Sequence, residues 1–214
     1  MSPEISAAVS GSAGLALGVP ALRWLRTGSY LCPDESPRRH PWFLPAVAVA
    51  AAAAGYGLAA RPLVVLAVGV ISAVVGVTVA AVDAHVMRIP RAITWPSYPI
   101  LGLLMAIPAV VTGDWGSLPR AIAAGAVCWA GFYLVHRLPG CGLGRGDVTL
   151  AGLFGAFLGW LSWGSVVIGI YATLLTSALA AAYLRLVRGH GRGHRFAFGP
   201  AMVTGAVVAM ALSR

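Results

Sequence analysis

The chain of 214 residues carries only six carboxylates: Glu4, Asp34, Glu35, Asp83, Asp114 and Asp147. Four fall in loops or near the terminus and read as solvated. Asp83 and Asp147 differ. Asp83 closes the apolar run Val77-Thr78-Val79-Ala80-Ala81-Val82, and Asp147 opens the run Val148-Thr149-Leu150-Ala151-Gly152-Leu153-Phe154. An ionisable side chain at the edge of a long apolar segment is costly to keep and points to function. Singly, each also has a structural reading: Asp147 as a helix cap, or either one as a partner for Arg88 or Arg145. As a pair they can do specific chemistry. Like charges at close range cannot both ionise cheaply, so one carboxyl keeps its proton. The ionised partner can take a proton from water, while the protonated one polarises a peptide carbonyl and later protonates the leaving amine. Amide hydrolysis of this kind requires no metal and no nucleophilic side chain. The pair titrates as a unit, so neither residue has a fixed role.

The elements that must hold such a pair are membrane helices. Hydrophobic residues make up 59% of the chain and charged residues 10%, against about 25% charged in an ordinary soluble domain. Mean hydropathy is +0.84. A soluble domain of this size could not cover so much apolar side chain, so a water-soluble enzyme is excluded. Three cysteines exclude a disulfide scaffold. The fold class is all-α, a polytopic bundle of about eight membrane helices, with spans near 5–25, 42–60, 63–83, 95–112, 118–137, 148–162, 165–187 and 198–213. All fifteen basic residues are Arg, and the formal charge is +9. They sit in short loops between apolar runs, where they signal topology and not nucleic-acid binding. Twelve fall in one set of alternating loops and flanks, including Arg38, Arg39, Arg88, Arg91, Arg137 and Arg145; Arg61, Arg120 and Arg214 form the other set. Positive-inside places the larger set in the cytoplasm and both termini outside. The first Arg follows an apolar stretch, so no cleaved signal is expected. Residues 1–62 read as N-terminal spans with a short cytoplasmic loop and 63–214 as a six-helix catalytic core, in effect one membrane domain. The patterns Gly14-Leu15-Ala16-Leu17-Gly18 and Gly155-Ala156-Phe157-Leu158-Gly159 let helix backbones approach closely. Packing within the chain is the expected use.

Three segments surround the carboxylates. The first runs Asp83-Ala84-His85-Val86-Met87-Arg88-Ile89-Pro90 and on to Ile93-Thr94-Trp95-Pro96. The second is Gly144-Arg145-Gly146-Asp147, where glycine admits close approaches that a Cβ would block. The third, Phe196-Ala197-Phe198-Gly199-Pro200, enters the last span. In this order they resemble the type IV prepilin peptidase family, intramembrane aspartyl proteases that share a GxGD motif with presenilins. The resemblance covers residues 63–213 well and the first 60 poorly. It implies catalysis by Asp83 and Asp147, with Gly144, Gly146, Ile89, Pro90, Phe198, Gly199 and Pro200 shaping the site. It also implies removal of the basic leader from pilin-like precursors, at the cytoplasmic face of a bacterial inner membrane. The partners are then a precursor with an apolar N-terminal helix and membrane lipid. Proteolysis takes no cofactor; S-adenosylmethionine enters only if an N-methyltransferase activity is retained. The family commonly has Lys where Thr149 stands and an acid where Arg91 stands, which alters local charge. Larger members carry two CxxC pairs in the N-terminal loop. Here that loop has only Cys32 and His40, and no zinc site is expected.

The other residues read more plainly. Cys128 is mid-span packing, and Cys141 lies near the site without a partner. His85 is expected at the interface in water, with a hydrogen bond to the carboxylate pair as the alternative. His190 and His194 lie in an Arg- and Gly-rich loop suited to anionic headgroups. The Trp residues near span ends form an interface belt. A different class remains open: a small proton- or cation-coupled transporter using the same two Asp. Against it, both lie at one boundary and no inverted repeat is evident.

Overall fold

The computed structural model describes residues 2–32, 34–36, 38–89, 91–139, 143–186 and 197–213. Among these the chain forms eight helices: α1 (Pro3–Thr27), α2 (Phe43–Gly57), α3 (Leu63–Val86), α4 (Arg91–Thr112), α5 (Ser117–Arg137), α6 (Arg145–Leu161), α7 (Trp163–Leu186) and α8 (Gly199–Ala211). Five of them, α1, α3, α5, α7 and α4 from Thr94, are long and apolar enough to cross a membrane. The other three have 15, 17 and 13 residues. At 1.5 Å per residue they fall short of the roughly 30 Å hydrocarbon layer. The sequence reading anticipated short sixth and eighth spans but a full second one. There the apolar residues 58–60 leave the helix for a turn, with Leu58 N–H on the Ala54 carbonyl and Arg61 N–H on the Leu58 carbonyl. α6 and α8 bury most of their residues against other helices. A helix enclosed by protein need not match the bilayer.

α3 is the axis of the bundle. Of its most apolar 18-residue window, 61% is buried, against 22% for α4 and for α5. Valine and alanine supply this core, with Ala73, Val77, Ala81 and Val82 among the buried residues. Small residues set the helix spacing. Gly14 and Gly18 of α1 face Ala51 and Val47 of α2. Gly155 and Gly159 of α6 face Cys128 and Ala124 of α5. Both GxxxG patterns are therefore spent inside the chain, where dispersion between close backbones holds helices together.

The α5–α6 hairpin is fixed at both ends. Arg120, near the start of α5, donates from Nε to the Gly159 carbonyl at 2.7 Å and from a terminal nitrogen to the Trp160 carbonyl at 2.8 Å. It thus satisfies carbonyls that the last turn of α6 leaves open. At the other end the His136 ring donates from Nδ1 to the Leu143 carbonyl at 2.6 Å. The C-terminal ends of α2 and α8 meet at Gly57, where a Cβ would lie 1.9 Å from the Met210 carbonyl oxygen.

Candidate active site

The apolar run before Asp83 does not stop there: α3 continues to Val86, so Asp83 lies in its last turn and not at its boundary. Met87 ends the helix in the left-handed region, with φ 50°, the one non-glycine residue with positive φ among those described. Its N–H bonds the Asp83 carbonyl at 2.8 Å. The Asp83 side chain is 3% exposed. One carboxylate oxygen, Oδ2, accepts the Gly199 N–H at 2.7 Å. That N–H belongs to the first turn of α8, whose amides have no partner within the helix. A Cβ at Gly199 would stand 2.8 Å from that oxygen and 3.1 Å from the Asp83 Cβ. Pro200 follows in the first turn, where its missing N–H costs nothing. Phe198 rests against Phe132 of α5, ring centroids 6.0 Å apart.

Asp147 is the third residue of α6 and is half-buried. Its Oδ2 accepts the Gly144 N–H at 3.0 Å. This is the reciprocal half of a capping box; Gly144 has no side chain to supply the other half. The backbone of Gly144 is extended, with φ −74°, which any residue adopts. What glycine provides here is space. A Cβ at Gly146 would lie 3.0 Å from the Ile89 Cβ and 3.4 Å from its carbonyl oxygen. Ile89, buried just past the Met87 turn, therefore seats directly on the first turn of α6.

The structure thus brings Asp83, Ile89, Gly144, Gly146, Asp147, Phe198, Gly199 and Pro200 to one end of the bundle. Ile89 links the two carboxylate-bearing segments: it follows the end of α3, whose last turn carries Asp83, and seats on Gly146 next to Asp147. Pro90, Phe196, Cys141, His190 and His194 lie outside the described residues. Cys128 is buried in α5 against Gly155.

His85 corrects the sequence reading: its Nδ1 faces the Tyr30 hydroxyl at 2.9 Å, a partner in the α1–α2 loop. His40 of that loop reaches the same hydroxyl from Nε2 at 3.5 Å. Arg88 likewise pairs with Glu35, and not with Asp83. The Cys32 N–H and then Arg88 hold the Glu35 carboxyl below the usual carboxylate range. The Tyr30–His85 and Glu35–Arg88 contacts join positions more than fifty residues apart, which no local spacing could reveal. Among the described residues no three His, Cys, Asp or Glu side chains converge as a metal cage.

A cavity of about 1020 Å³ opens between α4, α5 and α6, walled by Trp95, Tyr98, Trp129 and Thr149 among others. The Tyr98 hydroxyl donates to the Thr149 carbonyl at 2.7 Å. At about 100° per residue, Thr149 points away from the face that carries Asp147. The cavity and the carboxylates therefore occupy different sides of α6.

A many-helix membrane bundle with two carboxylates at one end, each held by a glycine N–H, defines a narrow class of membrane protein. The type IV leader peptidase family matches residues 70–185, more than half of the chain, and the chain belongs to that family. The match takes in both Asp and the glycines before Asp147, and it stops short of Gly199. A prepilin leader peptidase/N-methyltransferase of Pseudomonas putida is 29% identical over 124 residues, which cover 56% of this chain and 40% of that relative. The alignment thus spans less than half of the relative's length. No solved structure matches the chain.

Proposed function

We propose that the chain is an intramembrane aspartic endopeptidase that removes the basic leader of type IV pilin-like precursors. The observation that carries this is the convergence of Asp83 and Asp147 from α3 and α6, each with one oxygen held by a glycine N–H. The remaining oxygens share a proton and face the scissile amide. One carboxylate takes a proton from the attacking water; the other hydrogen-bonds to the carbonyl oxygen and then gives its proton to the leaving amine, so the pair again holds one proton. Water is the nucleophile, and no cofactor takes part. The Arg-rich loops flank the end of the bundle that holds the site. By the positive-inside bias this end is cytoplasmic and both termini lie on the opposite face. The membrane is the bacterial inner membrane. The junction between a basic leader and an apolar helix arrives at that depth, and holding it there supplies the proximity that hydrolysis needs. A transport role fits less well, because both carboxylates lie at one end and not at the midplane.

The test mixes detergent-purified protein with a candidate prepilin and follows the leader-sized mobility shift. The parent chain is expected to cleave, and Asp83→Asn and Asp147→Asn each to lose cleavage with helix content retained. Normal processing by either variant would refute the pair.

A further inference from the structure

The α1–α2 loop is tied to the segment that follows Asp83 at two independent places. In the first, Tyr30 stands between His85 and His40 at 2.9 and 3.5 Å. Its hydroxyl can donate to one ring and accept from the other. Tyr30 and His40 are both buried, and the rings of His40 and His85 lie 5.6 Å apart. Trp24 packs on Tyr30 at 5.6 Å and Trp42 on His40 at 6.0 Å. In the second, Arg88 pairs with Glu35, whose other oxygen accepts the Cys32 N–H at 2.9 Å. Between His85 and Arg88 lies Met87, in a left-handed conformation that L-residues avoid. Such a residue persists only where its surroundings over-determine it. Both tethers grip the residues on either side of it. The chain then runs to Ile89, which seats on Gly146 beside Asp147.

We infer that the α1–α2 loop is a positioning element for the carboxylate pair, acting through Tyr30–His85 and Glu35–Arg88 on the Met87 turn and so on the Ile89–Gly146 contact. Tyr30, Glu35 and His40 touch neither carboxylate; they fix the path between the two helices that carry them. This rests on the proteolytic reading above, and it gives residues of the poorly matching N-terminal region a definite task in the site.

The test is a double-mutant cycle on Tyr30→Phe and His85→Leu in the full chain. Each is expected to lower kcat by about tenfold to a hundredfold, as sub-ångström to ångström misplacement does, with KM held within about twofold. Because both act through one contact, the double variant is expected to be no worse than the poorer single one. Multiplying losses, or a rise in KM at constant kcat, would overturn the inference. The second result would mean that the loop meets the substrate directly. A readout independent of catalysis accompanies it: amide hydrogen exchange at 85–89 and 144–148 is expected to quicken in both single variants. Unchanged exchange there would overturn the inference even if the parent chain proved to cleave no prepilin, a separate failure that would remove only the proteolytic reading.

Discussion

The site depends on what is missing from three positions. Gly199, Gly146 and Gly144 each stand where a Cβ would press on the machinery: on Asp83, on Ile89 and on Asp147. Gly199 is the most demanding, because its neighbour is the backbone-anchored carboxylate of a buried Asp. Gly199→Ala must push α8 or Asp83 by several tenths of an ångström and lengthen the 2.7 Å hydrogen bond. The variant is expected to lose at least about tenfold in kcat, and overpacking costs about 1–3 kcal/mol of stability. Gly144→Ala, at 3.1 Å from a side-chain oxygen that can rotate, is expected to lose less. The ranking is checked by kcat on a fixed precursor alongside thermal unfolding. Equal losses would mean that the closeness of Gly199 to Asp83 has no special weight. The GxGD and Phe-Gly-Pro signatures were legible as strings. Their meaning was not, because the atoms that a Cβ at Gly146 or Gly199 would meet, on Ile89 and Asp83, come from segments far apart in sequence.

At the level of elements, the sequence announced helices wherever apolar runs lay between Arg, Pro and Gly, and the structure has a helix at each of the eight places. What the runs could not announce was their ends. The charge of Asp83 reads as a stop, yet α3 runs on for three more residues, its terminus set by Met87 and not by the acid. Residues 58–60 are apolar and so read as helix, yet they form a turn. Hydropathy reports burial, and both errors fall where burial and helicity part. Helix pairing was legible only as small-residue spacing. The α5–α6 hairpin is the strongest instance, with Gly159 facing Ala124 so closely that a Cβ would sit 2.2 Å away. Gly159→Ala is expected to wedge the hairpin and strain the Arg120 bonds to the Gly159 and Trp160 carbonyls. A cost of about 1–3 kcal/mol corresponds to a fall of several degrees in Tm for a chain of this size. The comparison is Gly102→Ala, where a Cβ meets nothing within 4 Å. If the two variants melt alike, the close approach is not what holds the hairpin.

Across the whole molecule, the N-terminal hairpin is joined to the rest of the bundle at both of its ends: Gly57 against Met210 of α8 at one, and the loop clasp on the end of α3 at the other. The clasp end carries a pH dependence whose sign can be worked out. Burial, followed by the charges of His85 and Arg38, holds the His40 ring below the usual histidine range. The docked loop therefore binds fewer protons than a released one, and acid favours release. The docking free energy is fully present above the ordinary histidine pKa of about 6.5 and declines as pH falls below it. Glu35 runs the other way. Its carboxyl is held low by the Cys32 N–H and Arg88, so it stays ionised through that window and its pairing with Arg88 persists. Mild acid is thus expected to loosen the loop at Tyr30 and leave it tethered at Glu35. Ring-proton NMR of the detergent-solubilised chain should show His40 titrating below 6.5, with loop resonances broadening over the same range. In Glu35→Gln the second tether is weakened, and the same acid step should free the loop entirely, read as rapid amide exchange across residues 28–42. A His40 that titrates at or above the ordinary value would mean that the ring is not held neutral by its buried neighbours, and that the loop docks without regard to pH.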